Sequence, residues 1–102
     1  MEGKKTYQKS KSYILNTLYD IIELRCGEVI LCDILQGKIL CQVSMYDYVW
    51  QLQFGITEIG TRKCEVSIQV VGERQDKAKE IRREFALLDS MLDGGADVKF
   101  SD

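Results

Sequence analysis

The alternation of apolar and polar residues in the second half of the chain is the feature that most constrains the fold. In residues 48–56 and 63–70, every second side chain is apolar. Because successive side chains of a strand point to opposite faces, this alternation predicts two strands that each bury one face. A three-residue loop at residues 58–60 would join them into a hairpin that pairs Phe54 with Cys64. The apolar members are Tyr48, Trp50, Leu52, Phe54, Ile56, Cys64, Val66, Ile68 and Val70.

A second hairpin is predicted earlier in the chain. Residues 28–35 and 38–44 are rich in β-branched and other apolar residues, and they flank the dipeptide Gln36-Gly37. A two-residue loop at that dipeptide places apolar side chains opposite one another on the core face. The resulting pairs are Ile34 with Ile39, Cys32 with Cys41, and Ile30 with Val43.

Two helices flank these strands in the sequence. The spacing of apolar residues predicts a first helix from about Lys11 to Arg25, capped by Ser10 or Ser12 and stopped by a left-handed Gly27. A second helix is predicted between an Asp76 N-cap and Asp93-Gly94-Gly95. Its apolar stripe consists of Ala78, Ile81, Phe85, Leu88 and Leu92, and its charged residues, Glu80 and Glu84 among them, are assigned to a solvated face.

The order of these elements predicts an α+β fold. We expect a four-stranded antiparallel β-meander whose N- and C-terminal helices pack on one face, in the order α-β-β-β-β-α. Residues 1–9 are expected to form a flexible basic arm. Residues 10–93 form the single domain, and residues 94–102 a flexible acidic tail.

Composition excludes several classes of function. The 102 residues contain no histidine, which excludes catalysis and metal binding by imidazole. Fourteen Lys and Arg against sixteen Asp and Glu give a formal net charge of −2, so we expect no nucleic-acid partner. There is no signal peptide and no apolar run long enough to span a bilayer, so we expect a cytoplasmic protein without a membrane partner.

The four cysteines are Cys26, Cys32, Cys41 and Cys64. No C-x-x-C motif occurs, and buried thiols acting as small apolar groups are the favoured interpretation. A cross-strand disulfide between Cys32 and Cys41, or a thiolate metal site that includes them, is the alternative. We therefore predict no metal and no cofactor.

Two groups of residues are candidates for binding. Val29, Leu31, Leu35 and Leu40 point away from the predicted core, and a half-apolar outer sheet face is typical of an interface. Aromatic side chains with polar tips are common anchors for partners or ligands, and they cluster around the link between the hairpins. These aromatic candidates are Tyr46, Tyr48 and Trp50.

The first half of the chain also resembles a known family. A helix ending in glycine, a strand, and then Asp33-x-x-x-Gly37-x-Ile39 is similar to the small helix–sheet–helix domains of BamC-type outer-membrane assembly lipoproteins and related uncharacterised bacterial domains. The resemblance covers residues 10–44 and implies a bacterial binding or scaffolding domain without catalytic residues. The chain lacks that family's signal peptide and lipid-modified cysteine, so envelope anchoring is not carried over.

These observations favour a non-catalytic protein-interaction or scaffolding domain that self-associates as a homodimer or binds a protein partner. The alternative is a domain that binds a small apolar ligand in a pocket between the sheet and the helices. An enzyme or redox protein that uses the cysteines ranks last, because no catalytic motif accompanies them.

Overall fold

Within the residues that the structure describes, two helices cover one face of a single six-stranded antiparallel sheet. The structure is a computed structural model that describes residues 1–45, 48–72, 77–92 and 98–101. The elements in chain order are β1 (Glu2–Tyr7), α1 (Lys11–Leu24), β2 (Glu28–Asp33), β3 (Lys38–Met45), β4 (Tyr48–Gly60), β5 (Lys63–Val71), α2 (Lys77–Leu92) and β6 (Lys99–Ser101).

The strand order in the sheet is β2-β3-β4-β5-β1-β6. The α+β class and the antiparallel sheet are confirmed, but the four-stranded α-β-β-β-β-α arrangement is wrong. β1 pairs with β5 along its whole length, and β6 pairs with β1 on the other side. β1 lies within residues 1–9, which are predicted to form an arm, and β6 lies within residues 94–102, which are predicted to form a tail. The first and last described elements are therefore strands and not helices.

The sequence pattern does not predict β1, because the positions of this strand that face the core are not all apolar. Gly3, Lys5 and Tyr7 are buried, and the residues between them are more exposed. Lys5 and Tyr7 both donate hydrogen bonds to the carboxylate of Asp89 in α2, and the distance from Tyr7 Oη to Asp89 Oδ1 is 2.5 Å. Burial, followed by the bond to Asp89, raises the pKa of Tyr7 above its ordinary value. The lysine is therefore a paired core residue of a regular strand.

The first helix is confirmed, with a change at its end. Ser10 is the N-cap, and its hydroxyl accepts a hydrogen bond from the Tyr13 amide at 3.3 Å. The left-handed residue after the helix is Cys26, with φ 52°, and not Gly27. Gly27 is needed for a different reason, because a Cβ there would lie 2.8 Å from the carbonyl oxygen of Gln42.

Both hairpins keep the predicted core face on β3, β4 and β5 but shift in register. β2 and β3 are joined by the four residues 34–37, so Cys32 lies opposite Ile39 instead of Cys41. Gly37 takes φ 68° in this turn, and its carbonyl accepts a hydrogen bond from the Ile56 amide at 2.7 Å. β4 and β5 pair Phe54 with Ile68, and their bend has a left-handed Arg62. Both registers are displaced by an even number of residues, so the same side chains face the core on these three strands as predicted.

Gly3 gives a direct test of β1 as a core strand. A side chain at Gly3 would collide with Ile81 and would lie about 3.1 Å from Phe85. We expect Gly3→Val to lower the free energy of unfolding by about 1–3 kcal/mol, because overpacking forces neighbouring side chains to move. Lys4→Val, at the adjacent position on the open face, is the matched control and should change it by no more than about 0.5 kcal/mol. Equal stability of the two variants in urea unfolding would contradict the assignment.

Candidate interaction surface

One edge of the sheet carries a group of exposed apolar side chains. β2 is hydrogen-bonded to β3 on one side only, and the first four of its six residues are exposed. We call this group the β2 patch and define it as Val29, Ile30, Leu31, Ile34, Leu35 and Leu40. Leu31 is 66% exposed and Leu35 94% exposed, and further exposed apolar side chains adjoin them. The patch is therefore a candidate site of contact with another molecule.

The local backbone explains why the patch is exposed. The pairing of β2 with β3 is shifted between Val29 and Leu31, so Ile30 is the extra residue of a β-bulge. Because of this extra residue, the side chains of Val29 and Leu31 lie on opposite faces of the sheet. Val29 lies opposite the buried Cys41, whereas Leu31 lies opposite Leu40 on the open face. The wide turn leaves Ile34 outside the ladder.

Two sequence predictions change as a result. Ile30 and Ile34, predicted to face the core, are 48% and 59% exposed. The four predicted interface residues divide between surfaces: Leu31 and a half-buried Leu40 share the open face, Leu35 lies in the turn, and Val29 lies on the helix side. Bulges and turn lengths of this kind cannot be derived from alternation alone, because one extra residue reverses every following side chain.

Charges differ between the two ends of β2. Glu28 begins the strand, and Asp33 ends it opposite Lys38. Asp33 Oδ1 accepts a hydrogen bond from the Gln36 amide at 3.1 Å, which fixes the turn. Lys11 of α1 reaches the same end, where its Nζ lies 3.5 Å from the carbonyl oxygen of Leu35. One end of the patch thus carries Glu28, and the other carries two lysines together with Asp33.

A depression of about 450 Å³ adjoins the lysine-bearing end. It lies between the start of α1, the turn after β2 and the end of β4. Its wall combines polar groups at the helix start with apolar side chains from the patch. The lining residues are Ser10, Lys11, Ser12, Leu15, Ile34, Leu35 and Glu58.

The rest of the open sheet face is mostly polar. Gln53 lies between Leu40 and Gln69, and Gln51 lies between Gln42 and Val71. The two described helices cover the other face, where the buried apolar side chains form one cluster. The exposed apolar side chains of β2 and its turn, with the half-buried Leu40 beside them, therefore stand out against a glutamine-rich surface.

The aromatic candidates are only partly placed. Tyr46 lies outside the described residues, and so does the side chain of Tyr48. Trp50 lies opposite Val43 on β3, and its half-buried side chain packs against the core cluster. Trp50 therefore contributes to packing at this position.

The cysteines are free thiols spread over the molecule. Cys32 lies opposite Ile39, so the predicted cross-strand pair with Cys41 does not form, and its sulfur lies 2.8 Å from Tyr19 Oη. Among the described residues, no group of three or more His, Cys, Asp or Glu is arranged to hold a metal ion. Burial, followed by the nearby charge of Glu84, raises the pKa of Cys41 to about 12.

Comparisons with known proteins give no family. No protein-family model matches the sequence, and no curated protein is significantly similar to it. The similarity of residues 10–44 to BamC-type domains therefore stays a prediction. In the part of the chain that the structure describes, neither helix is long and apolar enough to cross a bilayer.

Thiol labelling tests the placement of the cysteines. In the native protein, iodoacetamide should modify the exposed Cys26 first, while Cys41 and Cys64 stay unmodified because they are buried and burial raises their thiol pKa values. All four should react in denaturant, as counted by peptide mass spectrometry. Rapid native labelling of Cys41 would contradict the register of β3.

Proposed function

We propose that this protein is a non-catalytic interaction module that self-associates through the β2 patch. The exposure of Leu31 and Leu35 at an uncovered sheet edge is the observation that carries the proposal. Apolar surface concentrated in this way is costly in water, and association removes it from solvent. A protein–protein contact of ordinary size covers about 800 Å² on each partner, which would take in the patch and its charged surroundings.

The distribution of charge favours a second copy of the chain as the partner. In a dimer with a two-fold axis near Leu31, the two β2 strands run antiparallel. Each acidic end at Glu28 then approaches the partner's opposite end, where Lys38 and Lys11 lie. The same arrangement packs the Leu31 side chains together at the centre. Attraction between Glu28 of one copy and Lys38 or Lys11 of the other supports this orientation.

The bulge at Ile30 determines the kind of contact. A bulge interrupts the regular row of backbone donors and acceptors along an edge strand, and it hinders continuous pairing with another strand. Side-chain packing around Leu31 and Leu35 is therefore the main source of affinity in the proposed dimer. The same feature favours a closed dimer over an open-ended stack of sheets.

We propose the cytoplasm as the compartment, and the placement of the cysteines is compatible with it. All four are free, including the exposed Cys26. Free exposed thiols persist in a reducing environment, and this supports the cytoplasm as the place where the module acts.

The depression beside Leu35 favours a second candidate function, the binding of a small apolar ligand. Its volume of about 450 Å³ is within the range of ligand pockets. Decanoate is a suitable probe, because Lys11 at the rim would attract its carboxylate. Under this alternative, decanoate raises the melting temperature by linkage, and Ile34→Arg at an exposed position of the wall removes the shift. No shift up to millimolar decanoate would exclude this ligand class.

Leu31→Lys tests self-association directly. Burying a leucine contributes about 1.5–3 kcal/mol, and a symmetric interface contains two copies. The substitution should therefore raise the dimer dissociation constant by at least about 100-fold, as measured by light scattering over a concentration series. Circular dichroism should show an unchanged fold, because the side chain is largely exposed.

Val71→Lys is the matched control. Val71 is also an exposed apolar residue of the open face, but it lies on β5, three strands away from β2. It should leave the dissociation constant within about threefold of the wild type. A wild-type protein that stays monomeric at millimolar concentration would overturn the proposal.

A further inference from the structure

Two carboxyl groups of α2 are buried beneath the helices. Glu80 is 3% exposed and Glu84 1% exposed, so their assignment to a solvated helix face is wrong. Glu84 follows Ile81 by three positions and precedes Leu88 by four, which places it within the apolar stripe. That spacing was the available signal, and the high charge of the segment concealed it.

The charged neighbours of this pair come from both helices. At the end of α1, Arg25 Nη2 lies 3.0 Å from Glu84 Oε1, and on α2 itself Arg83 Nη1 lies 3.5 Å from Glu80 Oε2. The sheet contributes the buried thiol of Cys41, which is close enough for the charge of Glu84 to influence it. The arginines are partly exposed, so both approach the buried carboxyl groups from the surface.

The hydrogen bonds of the pair are incomplete. Glu84 Oε1 meets only the ion pair with Arg25 Nη2, and Glu80 Oε1, Glu84 Oε2 and Arg25 Nε have no hydrogen-bond partner among the described residues. An ionised carboxylate buried without hydrogen bonds is costly, whereas a protonated carboxyl group can be buried at much lower cost. Two carboxyl groups one helical turn apart also repel each other when both are ionised.

We propose that Glu80 and Glu84 form a contact between α1 and α2 that depends on the protonation of Glu84, and we call this contact the lock. With a proton on Glu84, the pair is packed against Arg25 and the sheet with a single negative charge. When that proton leaves, a second charge remains in the same buried site, and the cost of burying it beside Glu80 outweighs the stronger attraction to Arg25 and destabilises the packing of the helices. This device does not depend on self-association.

The lock lies next to the start of β2. Arg25 is the C-cap residue of α1, and its amide donates to the carbonyl of Ile21 at 3.0 Å. Two residues later the Gly27 amide donates to Ile22 at 2.7 Å, and β2 begins at Glu28. A change in the packing around Glu84 would therefore be felt at the connection from the first helix to the edge strand.

The sign of the pH dependence follows from the surroundings of Glu84. Burial raises its pKa from 4.5 to about 7, against the opposing effect of Arg25 and with support from the charge of Glu80. The folded protein thus binds this proton more tightly than the unfolded chain does. Its stabilising contribution is complete below pH 4.5, declines as pH rises towards about 7, and is absent above that.

Glu84→Gln tests the lock, because glutamine imitates the protonated carboxyl group. In the wild type, the folding equilibrium constant should fall by up to about tenfold per pH unit across this interval. Urea unfolding at a fixed protein concentration should show that Glu84→Gln removes the decline. Glu23→Gln, at an exposed position of α1, is the matched control and should retain it. The same decline in Glu84→Gln would overturn the proposal.

Carbon-13 NMR of the wild-type side chains provides a second measurement that does not require a variant to fold. The Glu84 carboxyl carbon should titrate with a midpoint near 7. A midpoint near the ordinary value of 4.5 would overturn the proposal whatever the stability data show.

Discussion

The contact of Lys5 and Tyr7 with Asp89 is the interaction on which the rest of the architecture depends. It joins residues as many as 84 positions apart, and it places the first strand of the chain beneath the last helix. Because β1 lies beside β5, the sheet is extended on that side, and α2 packs over β1 and β5. On the opposite side, no strand of the described residues pairs with the free edge of β2. β2 therefore stays at the edge, with the apolar patch uncovered.

The two polar clusters of α2 have opposite characters. Asp89 receives a lysine and a tyrosine hydroxyl, so its charge is compensated by partners that are themselves buried. Glu84 is paired with one partly exposed arginine, and its second carboxyl oxygen has no hydrogen-bond partner among the described residues. The first cluster fixes β1 to the helix, whereas the second responds to pH. α2 thus contacts β1 through a compensated charge at Asp89 and contacts α1 through a pH-dependent one at Glu84.

The sequence predicts most of the regular structure where side chains alternate or repeat cleanly. The sequence predicts the buried faces of β3, β4 and β5, the span of α1 and the apolar stripe of α2, because the buried positions of these elements are mostly apolar. It does not predict β1, because Gly3 and Lys5 occupy buried positions that become favourable only with Ile81, Phe85 and Asp89 around them. The registers fail for a related reason. They depend on the four-residue turn after β2, on a bulge at Ile30 and on the left-handed Arg62, which no pattern of hydrophobicity reveals.

The interaction surface follows the same division. Leu31 and Leu35 are identified from sequence, but Ile30 and Ile34 join them only because the strand bulges and the turn widens. Self-association through β2 can be tested by hydrogen exchange of the β2 amides at low and high protein concentration. If β2 forms the contact between two copies, the amides of residues 28–35 exchange more slowly at high concentration, while the amides of β5 do not change. Exchange in β2 that is independent of concentration would contradict it.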